Sequence, residues 1–193
     1  MAPMNILIYP LRRDLRLQDN PILHEIAKCK HEFTHVLPVY IFPAQQVEVS
    51  GFIPKDPEGH TLQSPYPEAR SANAGFWRCG VHRAKFLAES VWDLRHDLEK
   101  AGSGLEIRVG MVGEVVSKML RGFAAADGEK DEVKVGGVWM TGDVGPEELI
   151  EQREVKEACE EAGVDFRLFV DEKYFIHEYV LPQYSELSNG SWP

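Results

Sequence analysis

The chain has no uninterrupted apolar segment approaching the roughly 18 residues that cross a bilayer as a helix. Its N-terminal apolar run, Asn5-Ile-Leu-Ile-Tyr9, is too short for a secretory signal. No membrane span is expected, and the chain reads as intracellular. Its 3 cysteines, Cys29, Cys79 and Cys159, are scattered without C-x-x-C spacing, which indicates neither a disulfide framework nor a zinc site. Positive charge is also scarce. Against 31 Asp and Glu stand 21 Lys and Arg, and the net charge of -10 opposes the phosphate attraction behind most nucleic-acid binding. DNA contact by this chain alone is disfavoured. Also missing are G-x-G-x-x-G after the first strand, G-x-x-x-x-G-K-[ST] and G-x-S-x-G. Without those glycines there is no standard dinucleotide or P-loop phosphate cradle and no elbow exposing a serine nucleophile. No catalytic residue is indicated.

One string has metal character. His31-Glu-Phe-Thr-His35 matches H-E-x-x-H, but that chemistry needs both histidines on one helical face, and here the string runs into a strand. In extended chain the two rings stand about 13 Å apart, too far to share an ion at about 2 Å. No metal site is expected.

What is present is enough for one substantial core: 193 residues, 44% hydrophobic and 10% aromatic. Strands are expected at Asn5–Tyr9, Val36–Phe42 with Pro38 near its beginning, Leu105–Val109, Val138–Met140 and Val164–Val170. Helices are expected from Asn20 and Pro21 to about Lys28, over Val81–Ala101, over Glu114–Arg121 and over Glu147–Ala162. In the second of these Phe86, Leu87, Val91, Leu94 and Leu98 recur at helical spacing. Residues 43–80 read as a long irregular connection and Gly128–Lys134 as a polar one, while Trp77, Trp92 and Trp139 read as core or loop anchors. The alternation of strand and helix implies an α/β fold: a doubly wound, five-stranded parallel sheet, Rossmann-like, in a single domain. Ligands of such sheets bind beyond the carboxyl ends of the strands where strand order reverses. That would gather Pro10–Arg16, the Gly142 region and Asp171–Lys173 at one edge.

The stretch Gly142–Ala162 is where a ligand is expected. Pro146 suits a first helical position, and Glu147 and Glu148 fall in the first turn, where exposed amides and the helix dipole favour negative charge. By capping rules alone they are helix-start residues; the loop Leu11–Asp19, with three arginines and two aspartates, reads by the same rules as a salt-bridged surface segment.

Three stretches carry a resemblance. Ile8-Tyr-Pro-Leu-Arg-Arg-Asp-Leu-Arg-Leu-Gln-Asp-Asn20 resembles the strand-and-loop signature of the photolyase/cryptochrome family, an arginine followed by D-L-R-x-x-D-N. The run Gly75-Phe-Trp-Arg-Cys-Gly-Val-His-Arg-Ala-Lys-Phe-Leu-Ala-Glu-Ser-Val-Trp-Asp-Leu94 resembles the R-x-x-F-L-x-E-S-x-x-D-L helix of DASH-type cryptochromes. Asp171-Glu-Lys-Tyr-Phe, followed by Leu181-Pro182, resembles that subgroup's segment after the fifth strand. The chain is thus similar to the N-terminal α/β domain of that family, over residues 1–182, with 183–193 a tail unlike the family's continuation.

The resemblance implies part of a blue-light flavoprotein. The α/β domain would support an antenna chromophore, typically methenyltetrahydrofolate, while FAD and the DNA lesion belong to a flavin-binding helical domain not expected in this chain. Full-length relatives repair cyclobutane pyrimidine dimers, preferentially in single-stranded DNA, or signal; DNA would be reached only through the full-length form. No photolyase activity is expected of this chain alone. The family's pterin-binding glutamate aligns with Glu148, preceded by Glu147, and the loop contacts to the antenna with Leu11 and Arg12. Leu11 stands where an aromatic is usual and Arg13 where an amide is usual. The alternatives are an autonomous nucleotide- or flavin-binding module and a non-enzymatic interaction domain.

Overall fold

The computed structural model describes residues 4–47, 57–59, 65–71, 73–127 and 133–171. The elements run β1 (Met4–Leu11), α1 (Pro21–Ala27), β2 (His35–Pro43), α2 (Val81–Lys100), β3 (Glu106–Gly110), α3 (Val112–Asp127), β4 (Val133–Thr141), α4 (Pro146–Ala162) and β5 (Asp165–Phe169). All four ladders are parallel and the strand order is β3-β2-β1-β4-β5. The chain therefore winds outward from β1 through β2 to β3, then returns across β1 to build β4 and β5. Order reverses between β1 and β4.

Alternation along the strands supplies both cores. Ile6 and Ile8 join Val39, Ile41, Val138 and Met140 on the side covered by Val115, Val116 and Leu120 of α3 and Val155 and Cys159 of α4. Leu7, Tyr9 and Leu11 join Tyr40, Phe42 and Trp139 on the opposite side, under Ile22 of α1 and Val91, Leu94 and Leu98 of α2. Strands buried on both faces need long apolar runs, and Ile6–Leu11 of β1, Val36–Pro43 of β2 and Val138–Met140 of β4 supply them.

Several expectations need correction. β4 begins at Val133, five residues before the apolar triplet, because its ladder with β1 starts at Met4↔Val133. Gly136 and Gly137 hide that extension in the sequence. A Cβ at Gly136 would collide with the Asn5 side chain, and one at Gly137 would come within 2.9 Å of the Phe33 ring. α3 likewise starts at Val112 and continues to Asp127 rather than stopping at Arg121. Pro38 sits inside β2, yet β3 pairs with β2 only from Val39 onward, so one side of the strand carries no ladder there. Phe86 is 72% exposed rather than in the core: it lies one residue, about 100°, from Leu87 on the helix, off the stripe of Val91, Leu94 and Leu98. Trp92, 58% exposed, stands off that stripe for the same reason, with the Arg95 guanidinium 5.5 Å from its ring. Trp139 is in the core, and Trp77 anchors its loop through a bridge to Arg70, whose guanidinium lies 3.7 Å from the indole.

Candidate functional site at the sheet's carboxyl edge

The loop after β1 is held from within. Asp14 is fully buried and accepts from the Arg12 backbone N–H at 2.9 Å and from the Tyr9 hydroxyl. The Asn20 amide donates to that hydroxyl at 2.7 Å, while its carbonyl caps α1 by accepting from the N–H groups of Ile22 and Leu23 at 3.0 and 3.1 Å. Burial, reinforced by the Asp14 charge, pushes the Tyr9 phenol well above its ordinary range, so it stays a donor to the carboxylate. A buried carboxylate is costly unless its oxygens are satisfied, and these contacts satisfy both. The reading of this segment as an ordinary surface loop is thereby corrected. It becomes a rigid mount aiming three arginines at the strand ends.

Each arginine has a different partner. Arg16 forks onto Asp171 just beyond β5, at 3.1 and 2.6 Å. Arg13 reaches across the reversal point to Glu148 and, at 3.1 Å, to Asp143. Arg12 turns inward. Its side chain is 9% exposed; Nη1 donates to the Glu148 backbone carbonyl at 3.4 Å, Nε stands 3.9 Å from Glu151, and Nη2 has no partner among the described residues.

Opposite lies the first turn of α4. Gly145 and Pro146 start the helix without a side-chain cap, and Glu147 and Glu148 occupy its first turn as the sequence indicates. They differ in surroundings. Glu147 pairs with Arg78 and accepts from Gln46 Nε2 at 3.2 Å, tying the segment before α2 to the site. Glu148 is buried, with one carboxylate oxygen taken by Arg13. Gly145 packs so closely on that carboxylate that any Cβ there would displace it. Leu11, by contrast, is buried in the core on the α2 side and does not line the site. Asp171 lies at this edge with Arg16, whereas Glu172, Lys173 and the Leu181-Pro182 segment fall outside the described residues.

Between these groups is a cavity of about 410 Å³ lined by Leu15, Tyr40, Val47, Phe86 and Leu87 together with polar side chains that include Arg12, Arg13, Glu148 and Glu151. Arg83 also lines it and has no hydrogen-bond or ion-pair partner among the described residues. Glu151 and Gln152 are site residues that reading the first turn alone misses. The signal was in the periodicity: the buried stripe of α4 through Cys159, Ala158 and Val155 continues back to Gln152, Glu151 and Glu148. Gln152 holds the loop by donating to the Asp143 carbonyl at 2.8 Å. Burial raises the Glu151 carboxyl above its ordinary range; Arg12 opposes that rise and Glu148 adds to it. A cavity with apolar walls and several donors and acceptors in its lining suits the binding of a small polar-edged ligand.

Residues 7–180 match the model of the DNA photolyase family. The chain belongs to that family. It is 48% identical over 180 residues to a cryptochrome DASH of Neurospora crassa named as mitochondrial, covering 92% of this chain and 23% of that protein. A cryptochrome DASH of Gibberella zeae is 45% identical over 178 residues, covering 92% of this chain and 24% of its own length. Among solved photolyase-family structures, a Synechocystis cryptochrome superposes with a TM-score of 0.64 at 20% identity over 88% of this chain and 28% of its own. An archaeal photolyase from Sulfolobus tokodaii, solved with two FAD molecules, gives 0.61 at 22% identity over 96% of this chain and 35% of its own. The photolyase-family match covers the N-terminal α/β domain, and the chain spans about a quarter of the curated relatives' length. Among the described residues no helix is long and apolar enough to cross a membrane.

Proposed function

We propose that this chain is the cofactor-supporting α/β domain of a DASH-type blue-light flavoprotein, holding a folate-type antenna at the carboxyl edge of its sheet. The single observation that carries the reading is a carboxylate, Glu148, buried at the start of α4 on the line where strand order reverses, beside an apolar cavity. An ionised carboxylate accepts two hydrogen bonds, which matches the amino and ring N–H groups of a pterin. When bound, such a group absorbs near-ultraviolet light and passes the excitation on. The chain's own residues bind and orient it. Arg12 lines the slot beside Glu148, Glu147 pins the neighbouring segment through Arg78, and Leu11 supports the loop from the core side. FAD and DNA would be engaged through the flavin-binding domain of a full-length form.

Absorbance tests the assignment. The form carrying the flavin domain should show a near-ultraviolet folate band, and Glu148→Gln should weaken it strongly. A band kept at wild-type strength in that variant overturns the role of Glu148.

A further inference from the structure

The loop that carries Arg12 and Arg13 to the cavity has a second anchor besides Asp14, on a different strand. Arg16 donates through Nη1 and Nη2 to the carboxylate of Asp171, just past β5, at 3.1 and 2.6 Å, and through Nε and Nη2 to the Asp19 carbonyl at 3.2 and 2.9 Å. One guanidinium therefore joins the end of β5 to the far end of the loop after β1. Asp19 needs holding: at φ 53 it is a non-glycine residue in the left-handed region, a conformation that persists where its surroundings enforce it.

From Arg16 the bonds continue inward. Its backbone N–H donates to the Asp14 carbonyl at 2.7 Å, and its carbonyl accepts from Asn20 Nδ2 at 3.2 Å. Asn20 donates to the Tyr9 hydroxyl, that hydroxyl to Asp14, and Asp14 accepts from the Arg12 N–H. Direct contacts thus run without a break from Asp171 to Arg12, which lines the cavity with Arg13. The outer pair decides whether the anchor holds. Arg16, 36% exposed, can be hydrated where it stands, but Asp171 is 5% exposed, so its charge depends on Arg16. The forked geometry adds direction to the charge.

We propose that Asp171 is a positioning residue for the cavity: through Arg16 it fixes the loop that presents Arg12 and Arg13, so that the end of β5 and the ligand edge of β1 act as one unit. Asp171 does not line the cavity and touches no ligand there. Its effect on binding passes through the loop, and releasing it frees the arginines to leave the geometry in which they face the cavity. The ligand used in the test rests on the antenna reading, whereas the anchoring of the loop does not.

The test uses the full chain and combines native-state hydrogen exchange, which reads local opening, with titration by 5,10-methenyltetrahydrofolate followed by absorbance. Asp171→Asn keeps the side chain's shape but replaces one acceptor of the fork by a donor. Exchange of the Arg12 and Arg16 amides should quicken about tenfold in this variant, while Val39 and Val138 in the central strands keep their wild-type rates. Folate affinity of the folded variant should fall about threefold. Arg16→Gln should act in the same direction, and the double variant should go no further than Arg16→Gln alone, because the two side chains work as one. Quickened exchange confined to Phe169 and Val170 would show that Asp171 secures only its own strand and overturns the proposal. Equal quickening in the central strands marks global destabilisation and overturns it too, as does unchanged folate affinity in Asp171→Asn when the wild type binds folate; in that last case the antenna reading stands. If the wild-type chain binds no folate, the antenna reading fails, and quickened exchange at Arg12 and Arg16 still sustains the anchoring of the loop by Asp171.

Discussion

The Arg13 guanidinium rests on the Glu148 carboxylate, joining the loop after β1 to the first turn of α4 across 135 residues of sequence. Arg13 is itself 53% exposed and shares its charge with Asp143, so the pair is one that solvent screens. It competes with any ligand group that needs the same oxygen. Arg13→Gln should therefore tighten binding of methenyltetrahydrofolate by roughly two- to fivefold, the equivalent of up to ~1 kcal/mol for a half-exposed ion pair. An absorbance titration of variant and wild type measures this, and weaker binding by the variant would show Arg13 to be a ligand contact instead.

Gly145 offers a way to move Glu148 without changing it. With φ -67 and ψ 145 its backbone conformation is open to any residue, but an alanine Cβ would displace the carboxylate behind it. Gly145→Ala should leave the thermal midpoint within about 2 °C of wild type, since the atom that yields is the end of a flexible side chain. Folate absorbance should nevertheless fall as it does in Glu148→Gln. A normal band would show that the position of this carboxylate does not matter.

Asn20 does two jobs with one side chain, capping α1 and donating to Tyr9. Asn20→Ala removes a cap worth ~1 kcal/mol and a buried hydrogen bond of similar size. A destabilisation of about 2 kcal/mol is expected, readable as a midpoint drop of roughly 4–8 °C for a domain of this size. Calorimetry or urea denaturation checks it.

Stability should fall at alkaline pH. Burial pushes the Cys159 thiol up to about 12, with Asp165 and Glu160 adding to the rise. The Tyr9 and Tyr40 phenols are raised as well, mainly by burial. An acid whose folded value is raised keeps its proton in the native state while the unfolded chain loses it. The stabilisation is full below the unfolded value and is lost as pH climbs toward the folded one, here from about pH 9 upward, by as much as ~1.4 kcal/mol per pH unit for each group. Urea denaturation at pH 8, 9 and 10 reads the slope, and Cys159→Ala should flatten it between pH 9 and 10. The exposed Cys29 should react with a thiol reagent at pH 8 well before Cys159 does.

Much of the fold was legible because burial on both faces leaves a plain mark. Ile6 to Tyr9 and Val39 to Phe42 are apolar without a break, and α2 announces itself through Val91, Leu94 and Leu98. The beginning of β4 was not legible, because close packing against Asn5 and Phe33 demands glycine at 136 and 137 and glycine carries no strand signal. Strand order could not be read either. Nothing local in β4 says that it lies against β1 rather than β3, and that choice sets the ligand edge. Within the site, Glu147 and Glu148 look alike in the sequence, as two acids in a first helical turn. What separates them is rotation: Glu148 falls on the stripe of Val155 and Cys159 and is buried, and Glu147 falls beside it and meets Arg78. The ion pairs that reach across the sheet, Arg13 to Glu148 and Arg16 to Asp171, join residues whose proximity only the folded chain creates.

The sheet's outer strands have a bearing on solubility. β3 and β5, which alone have an unpaired side among the described strands, are five residues long, against eight or nine in β1, β2 and β4. Each opens on an acid, an apolar residue and an arginine: Glu106-Ile-Arg108 and Asp165-Phe-Arg167. Short borders bearing mixed charge are poor templates for another chain's backbone. The apolar centre of the sheet is thus flanked, among the described strands, by edges that offer another chain little to pair with.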